Sequence, residues 1–141
     1  MASTELEFNF PSDSTDERGQ SFSLSESELN SFGSIQDVHI AAIQPGKVRG
    51  NHYHMRRGEL IAVVYTDDVS VHWDTGSGTD PLSRKFTGSG CVSFAPPNGW
   101  SHAVRNDGRS IVWIFVASDQ PYEANEGDAG TVDAIRRVVT D

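Results

Sequence analysis

The sequence predicts an all-β domain, an antiparallel β-barrel or two-sheet jelly roll, with a short C-terminal helix. Three observations carry this. Short apolar or alternating runs recur at near-regular spacing along the chain. Clusters of Gly, Pro, Asn and Asp separate them. The length of 141 residues suits one domain with a modest core.

Taken in order, residues 5–10 alternate and end at Pro11, and the polar residues 11–20 read as turns. Residues 21–24 and 38–43 are strand candidates, the second closed by Pro45-Gly46. Residues 58–65 hold the apolar run Leu60-Ile61-Ala62-Val63-Val64-Tyr65. Asp67-Asp68 turns the chain into an alternating strand at 69–73, and a loop follows at 75–81. Residues 91–94 form a strand ended by Pro96-Pro97-Asn98-Gly99. The most apolar strand is 111–117, after the turn Asn106-Asp107-Gly108. Residues 120–130 read as an acidic loop. Thr131 then caps an expected helix to about Val139, with Val132, Ile135 and Val139 on one face. Arg136 and Arg137 lie near its C-terminal end, where the helix dipole favours cations. A single domain over 1–141 is expected, divided into N-terminal strands (1–37), a core (38–118) and a C-terminal loop and helix (119–141).

Charge excludes some partners. With 20 acidic and 11 basic residues the net charge is −9, which repels nucleic-acid phosphates and anionic membrane surfaces. The single cysteine, Cys91, can form neither an intrachain disulfide nor a cysteine-based zinc site. The N-terminal residues lack the basic start and apolar run of a secretory signal, and no apolar stretch is long enough to span a bilayer. A soluble, cytoplasmic protein is expected.

The chemistry concentrates in two segments. In the first, Gly46 is followed by His52, His54 and Glu59. Along a strand, His52 and His54 share a face at roughly 6.5–7 Å, close enough for two imidazoles to converge on one ion. Glu59 follows the Arg57-Gly58 turn, so a hairpin returns its carboxylate to that face. In the second segment, Pro97 and Gly99 turn the chain and His102 opens a new strand, supplying a third imidazole. Three neutral nitrogens and one carboxylate make an open site for a divalent metal ion such as Zn, Fe, Mn, Ni or Co.

These residues resemble the two motifs of the cupin superfamily. The first is Gly, five residues, His-x-His, three or four residues, then Glu; it is met from Gly46 to Glu59. The second is Pro-x-Gly, two residues, His, three residues, Asn; it is met from Pro97 to Asn106. Thr66 and Cys91 stand where the family has turn glycines. The resemblance covers residues 38–118 and implies a cupin-type β-barrel, or double-stranded jelly roll, with a metal held by His52, His54, Glu59 and His102.

Within the superfamily, Arg49-Gly50-x-His52-x-His54 is similar to the branch of sugar-nucleotide epimerases and ketoisomerases, as is Arg18-Gly19 followed by Phe22. That likeness implies an arginine facing the substrate and a histidine acting as base, which carries over to Arg49 and His52. Strict alternation points Arg49 away from His52, so a bulge at Gly50 is required to turn it inward. Tyr65 shares parity with Glu59 and is a further catalytic candidate. A base beside a keto sugar removes a proton alpha to the carbonyl, and an ion or arginine stabilises the enolate. A histidine that binds metal cannot also be a free base, so the two roles of His52 compete.

Two other functions fit the same donor set. One is an iron dioxygenase with an apolar pocket, which parity assigns to Ile61, Val63, Val104, Trp113 and Phe115. The other is a non-enzymatic small-ligand binder. The implied partner is a small molecule, a nucleotide sugar on the first reading. A homodimer is also expected, because residues 5–10 could be lent to a neighbouring sheet and residues 111–117 are apolar on both faces. His39, on an apolar strand, either faces the cavity or is a core or interface residue. His72 is expected on the outer face. Ser101-His102 lacks the glycine-flanked nucleophile of a hydrolase.

Overall fold

The computed structural model describes residues 3–121 and 135–141. Its core is two four-stranded antiparallel sheets. The first has the order β3 (Asp37–Ile43), β10 (Val112–Ser118), β5 (Glu59–Tyr65), β8 (Gly90–Phe94). The second runs β4 (Val48–His52), β9 (His102–Asn106), β6 (Val69–Trp73), β7 (Leu82–Phe86). A two-residue ribbon, β1 (Ser12–Asp13) with β2 (Phe22–Ser23), and one short helix, α1 (Glu26–Phe32), precede them. The two sheets form the jelly roll expected of a cupin. Among the described residues, no helix is long and apolar enough to cross a membrane.

Alternation along each strand builds the core. Ile61, Val63 and Tyr65 of β5 face Val69, Val71 and Trp73 of β6 across the sandwich, with Val92, Phe94, Val104, Val112, Ile114 and Val116 between them. One end is closed by the N-terminal segment. Phe8 meets the rings of Trp73, Phe86 and Phe94 edge-on at 5.1–5.7 Å, and the Trp73 Nε1–H donates to Thr4 O at 3.0 Å. The strand expected at residues 5–10 is met only as a bridge between Asn9 and Ser93; this segment packs on its own core. The opposite end of the sandwich stays open.

Register decides which side chains reach that open end. Ile114 pairs with Val63 and Val116 with Ile61, so β10 turns its even-numbered residues inward. Trp113 and Phe115, expected in the pocket, therefore lie outside, 46% and 40% exposed, beside exposed Val38 and Ile40. Tyr65 is a similar correction. It has the parity of Glu59 but sits six residues along β5, about 20 Å away. It is buried near Phe86 at the closed end.

The helix expected from Thr131 falls partly outside the described residues. Its described part is extended, not helical. Ile135 bridges His52, and the backbone N–H groups of Arg136, Val138 and Val139 are all taken by Asn51. Donors held that way cannot make i→i−4 bonds. Conversely, α1 was not expected. Ser25 caps it through a capping box with Glu28, a local signal inside a polar stretch.

Two residues fix the frame of the second sheet, one at β9 and one at β4. Asn106, fully buried, donates to Ile43 O at 2.8 Å and Ser110 O at 2.7 Å, and accepts from Gly108 N at 3.0 Å. Gly50 lies at φ +111°, where the β4–β9 register shifts. A Cβ there would stand 2.6 Å from His102 O and 2.8 Å from Ala103 Cα. Asn106→Ala strands the carbonyl of buried Ile43 and is expected to lower stability by about 1–3 kcal/mol in urea unfolding. Gly50→Ala is expected to cost at least about 1–3 kcal/mol in the same measurement, from overpacking against backbone. Wild-type midpoints for either variant would contradict these assignments.

Candidate metal centre

The open end gathers the histidines through one strand pair. On β9, His102 and Val104 face inward. Their partners on β4 are His52 and Arg49. Residues three apart share a face only because the bulge at Gly50 and Asn51 inserts one extra position. Asn51 takes the positive φ (61°) that this requires; among the described residues it is the only non-glycine to do so.

His54 lies just beyond the end of β4. The turn that carries the second motif fixes it: Gly99 N donates to His54 O at 2.9 Å, and Asn98 Nδ2 to Met55 O at 3.0 Å. Glu59 begins β5 after Gly58, whose N–H donates to the Asp119 carboxylate at 2.8 Å. The result is a compact cluster. One ligand atom from each of His52, His54, Glu59 and His102 lies within 4.8 Å of all the others. Ring centroids are 5.0 Å apart for His52–His54 and for His52–His102, and 6.0 Å for His54–His102. Glu59 Oε1 stands 3.2 Å from His54 Nε2 and 3.3 Å from His102 Nε2.

Burial and mutual contacts set the charges of this cluster. Burial, reinforced by His102, holds the His52 imidazolium pKa down at about 4, against the opposing pull of Glu59. His52 is therefore neutral at pH 7 and presents a lone pair. Burial alone would raise the Glu59 carboxyl, but its close contacts with His102 and His54 outweigh that and hold it well below the usual range. Glu59 Oε1 and His102 Nε2 are buried and make no hydrogen bond among the described residues. Buried polar atoms normally have partners. Converging nitrogen and carboxylate donors of this kind fit a divalent transition-metal ion.

The cluster opens into a cavity of about 500 Å³. Ile61, Val104, Ile114 and Val116 form an apolar wall. Asp37, His39 and Arg49 contribute polar groups from β3 and β4. The Arg49 Nε–H donates to Ala42 O at 2.7 Å; its terminal nitrogens make no other hydrogen bond among the described residues. His39 thus lines the cavity, and Val63 lies below it in the core. Tyr65 is not part of the site.

Arg57 is a cavity residue that the sequence reading passed over. It is buried and donates to Ser118 Oγ at 3.1 Å and Pro121 O at 3.3 Å. Its signal was available, since it stands two residues before Glu59. The other reactive residues lie elsewhere. His72 Nε2 sits 2.7 Å from Ser70 Oγ on β6, away from the cluster. Burial pushes the Cys91 thiol up to about 11, which keeps it protonated at neutral pH. The Ser101 hydroxyl donates to Arg136 O, not to His102.

Comparison with known proteins places this geometry in a family. The family model described as the polysaccharide biosynthesis C-terminal domain matches residues 14–130. A search of the curated proteins finds no match. Several solved structures share the fold. A 3,4-ketoisomerase from Helicobacter canadensis is 16% identical, with a TM-score of 0.64 over 88% of this chain and 90% of that one. The dTDP-6-deoxy-D-glucose-3,5-epimerase RmlC of Legionella pneumophila, in complex with dTDP-4-keto-L-rhamnose, is 22% identical, with a TM-score of 0.62 over 86% and 70%. The capsular polysaccharide assembling protein CapF of Staphylococcus aureus is 19% identical, with a TM-score of 0.59 over 89% of this chain and 34% of that one. The chain spans about a third of CapF's length. The fold is the RmlC-like cupin jelly roll, and the chain belongs to the polysaccharide biosynthesis C-terminal domain family.

Proposed function

We propose that this protein is a metal-binding cupin that epimerises or isomerises a nucleotide-linked keto sugar in polysaccharide biosynthesis. The observation that carries the proposal is one cavity holding both the His52–His54–Glu59–His102 cluster and the cationic side chain of Arg49. Family membership and the activities named for the fold relatives support this choice of substrate.

The ion, held by His52, His54, Glu59 and His102, would supply Lewis acidity toward a sugar carbonyl. The rest falls to the chain's own groups. Arg49 binds phosphate or carbonyl oxygen through charge-assisted hydrogen bonds. Arg57, anchored by Ser118, keeps a second positive charge beside the reacting end. The apolar wall of Ile61, Val104, Ile114 and Val116 excludes water. With His52, His54 and His102 engaged as ligands, His39 is the remaining imidazole among the lining residues and would be the proton acceptor. The expected homodimer belongs to this proposal too. Val38, Ile40, Trp113 and Phe115 leave exposed apolar surface on neighbouring strands, the kind that subunit contacts cover.

The same donor set and apolar wall also favour a dioxygenase, and metal identity separates the two. Bound iron with oxygen uptake on turnover would favour the oxygenase; zinc, with activity toward keto sugars, favours the isomerase.

Elemental analysis of natively purified protein should give about one divalent ion per chain. The double variant His54→Ala, His102→Ala should lose it; stoichiometry persisting near one would place the site elsewhere. Calorimetric titration with a panel of nucleotide sugars tests the substrate. Arg49→Ala should weaken binding at least about tenfold, the loss of one charge-assisted bond, with metal content unchanged. Arg49→Lys should restore only part of it. Failure of the wild type to bind any of the panel removes the sugar-nucleotide reading, and equal binding by wild type and Arg49→Ala removes Arg49 from it.

A further inference from the structure

The C-terminal residues 135–141 lie against both chain segments that carry the histidines. Ile135 bridges His52. Arg136 N donates to Asn51 O at 3.0 Å. The Asn51 side chain is held by the same segment. Its Oδ1 accepts from Val138 N at 2.8 Å and Val139 N at 3.2 Å, and its Nδ2 donates to Val139 O at 3.0 Å. The residue held this way is the one at positive φ in the bulge that puts His52 and Arg49 on one face.

One side chain in this segment reaches further. The Arg136 guanidinium donates to both carboxylate oxygens of Asp74, at 2.5 and 2.6 Å, and to Gly99 O at 2.7 Å. It also lies over the Tyr53 ring, 4.4 Å from the centroid. Tyr53 sits between His52 and His54. Gly99 is the residue whose N–H holds the His54 carbonyl. Asp74 is 2% exposed and accepts from Ser101 N at 3.0 Å, immediately before His102. The Ser101 hydroxyl returns a bond to Arg136 O. A single planar cation thus reaches the chain beside all three histidines, directly at Tyr53 and Gly99 and through Asp74 at Ser101. A fork-shaped guanidinium can do this; a point charge cannot.

We infer that Arg136 is a positioning residue for the His52–His54–Glu59–His102 cluster, clamping the two histidine-bearing segments through Asp74, Gly99 and Tyr53. The affinity readout below rests on the proposed metal binding; the clamp itself does not. Groups that orient metal ligands typically change affinity by about 10–100-fold when removed. A role confined to stability would lower the melting temperature and leave the site unchanged.

The test is titration of the metal-free full chain with Co(II), followed by visible absorption, which reports ligand geometry, with a competing chelator for affinity. Arg136→Ala should weaken Co(II) binding at least about tenfold and alter the absorption bands. Arg136→Lys, which keeps the charge beside Asp74 but not the fork, should fall between. Arg137→Ala, at an exposed neighbour, should match the wild type. Wild-type affinity and spectrum in Arg136→Ala, whatever its melting temperature, overturn the inference. If Arg136→Ala does not fold, Arg136→Lys decides: binding equal to wild type overturns it. Absence of Co(II) binding by the wild type would sink the metal reading alone. The clamp is then judged on the histidine ring nitrogen–proton spectra of the metal-free proteins. Arg136→Ala must shift the His52, His54 and His102 resonances and spare His72; unchanged resonances overturn the inference.

Discussion

The pairing of His52 with His102 across β4 and β9 is the constraint on which the rest of the site depends. It brings together two motifs some fifty residues apart in the chain and makes their imidazoles neighbours at 5.0 Å. The pairing is possible only with backbone in close contact at Gly50, where any side chain would collide with His102 O. The same bulge reverses the parity of everything before it. Arg49 and His52 then face one cavity, as a regular strand would forbid. Backbone geometry at two residues therefore sets both the donor set and the cation that accompanies it.

The clustering of His52, His54, Glu59 and His102 was legible because its signals are local. His-x-His, the Glu after a glycine turn and the His after Pro-x-Gly each encode their geometry within a few residues. The need for a bulge at Gly50 was legible for the same reason, since alternation counts residues. Parity, however, gives a face and not a depth. Tyr65 has the right parity and lies at the wrong end of β5, where Phe8 and Phe86 close the core. Trp113 and Phe115 failed because the inward face of β10 is decided by its partners: with Ile61 and Val63 opposite Val116 and Ile114, the bulky aromatics must turn outward. An apolar strand alone does not say which of its two faces is buried.

The C-terminal segment shows the other limit. Residues 131–139 carry a sound helix signal by period and cap, yet the described part is extended. Tertiary bonds to Asn51 and Asp74 supply what an isolated helix would take from itself, and they include a half-buried ion pair. Nothing near Arg136 in sequence names Asp74 as its partner, 62 residues away. Long-range polar pairs of this kind carry no periodic signature. The residues that steady a site are consequently harder to read than those that form it.

Net charge and local charge also act at different ranges here. A chain at −9 repels anions at a distance, and screening confines that repulsion to roughly 8 Å at physiological salt. Inside the cavity the acidic excess disappears, because Arg49 and Arg57 match Asp37 and Glu59 among the residues that line it. An anionic ligand would thus be drawn by near contacts and not by the field of the whole protein. The acidic surface disfavours polyanions, whose many charges extend well beyond the mouth. It disfavours a compact diphosphate far less, since its two or three charges can be matched where Arg49 lies. An acidic surface that disfavours nucleic acid is thus compatible with the proposed nucleotide-sugar substrate, and on that proposal the discrimination between them would fall to the cavity and to Arg49 at the β4 bulge.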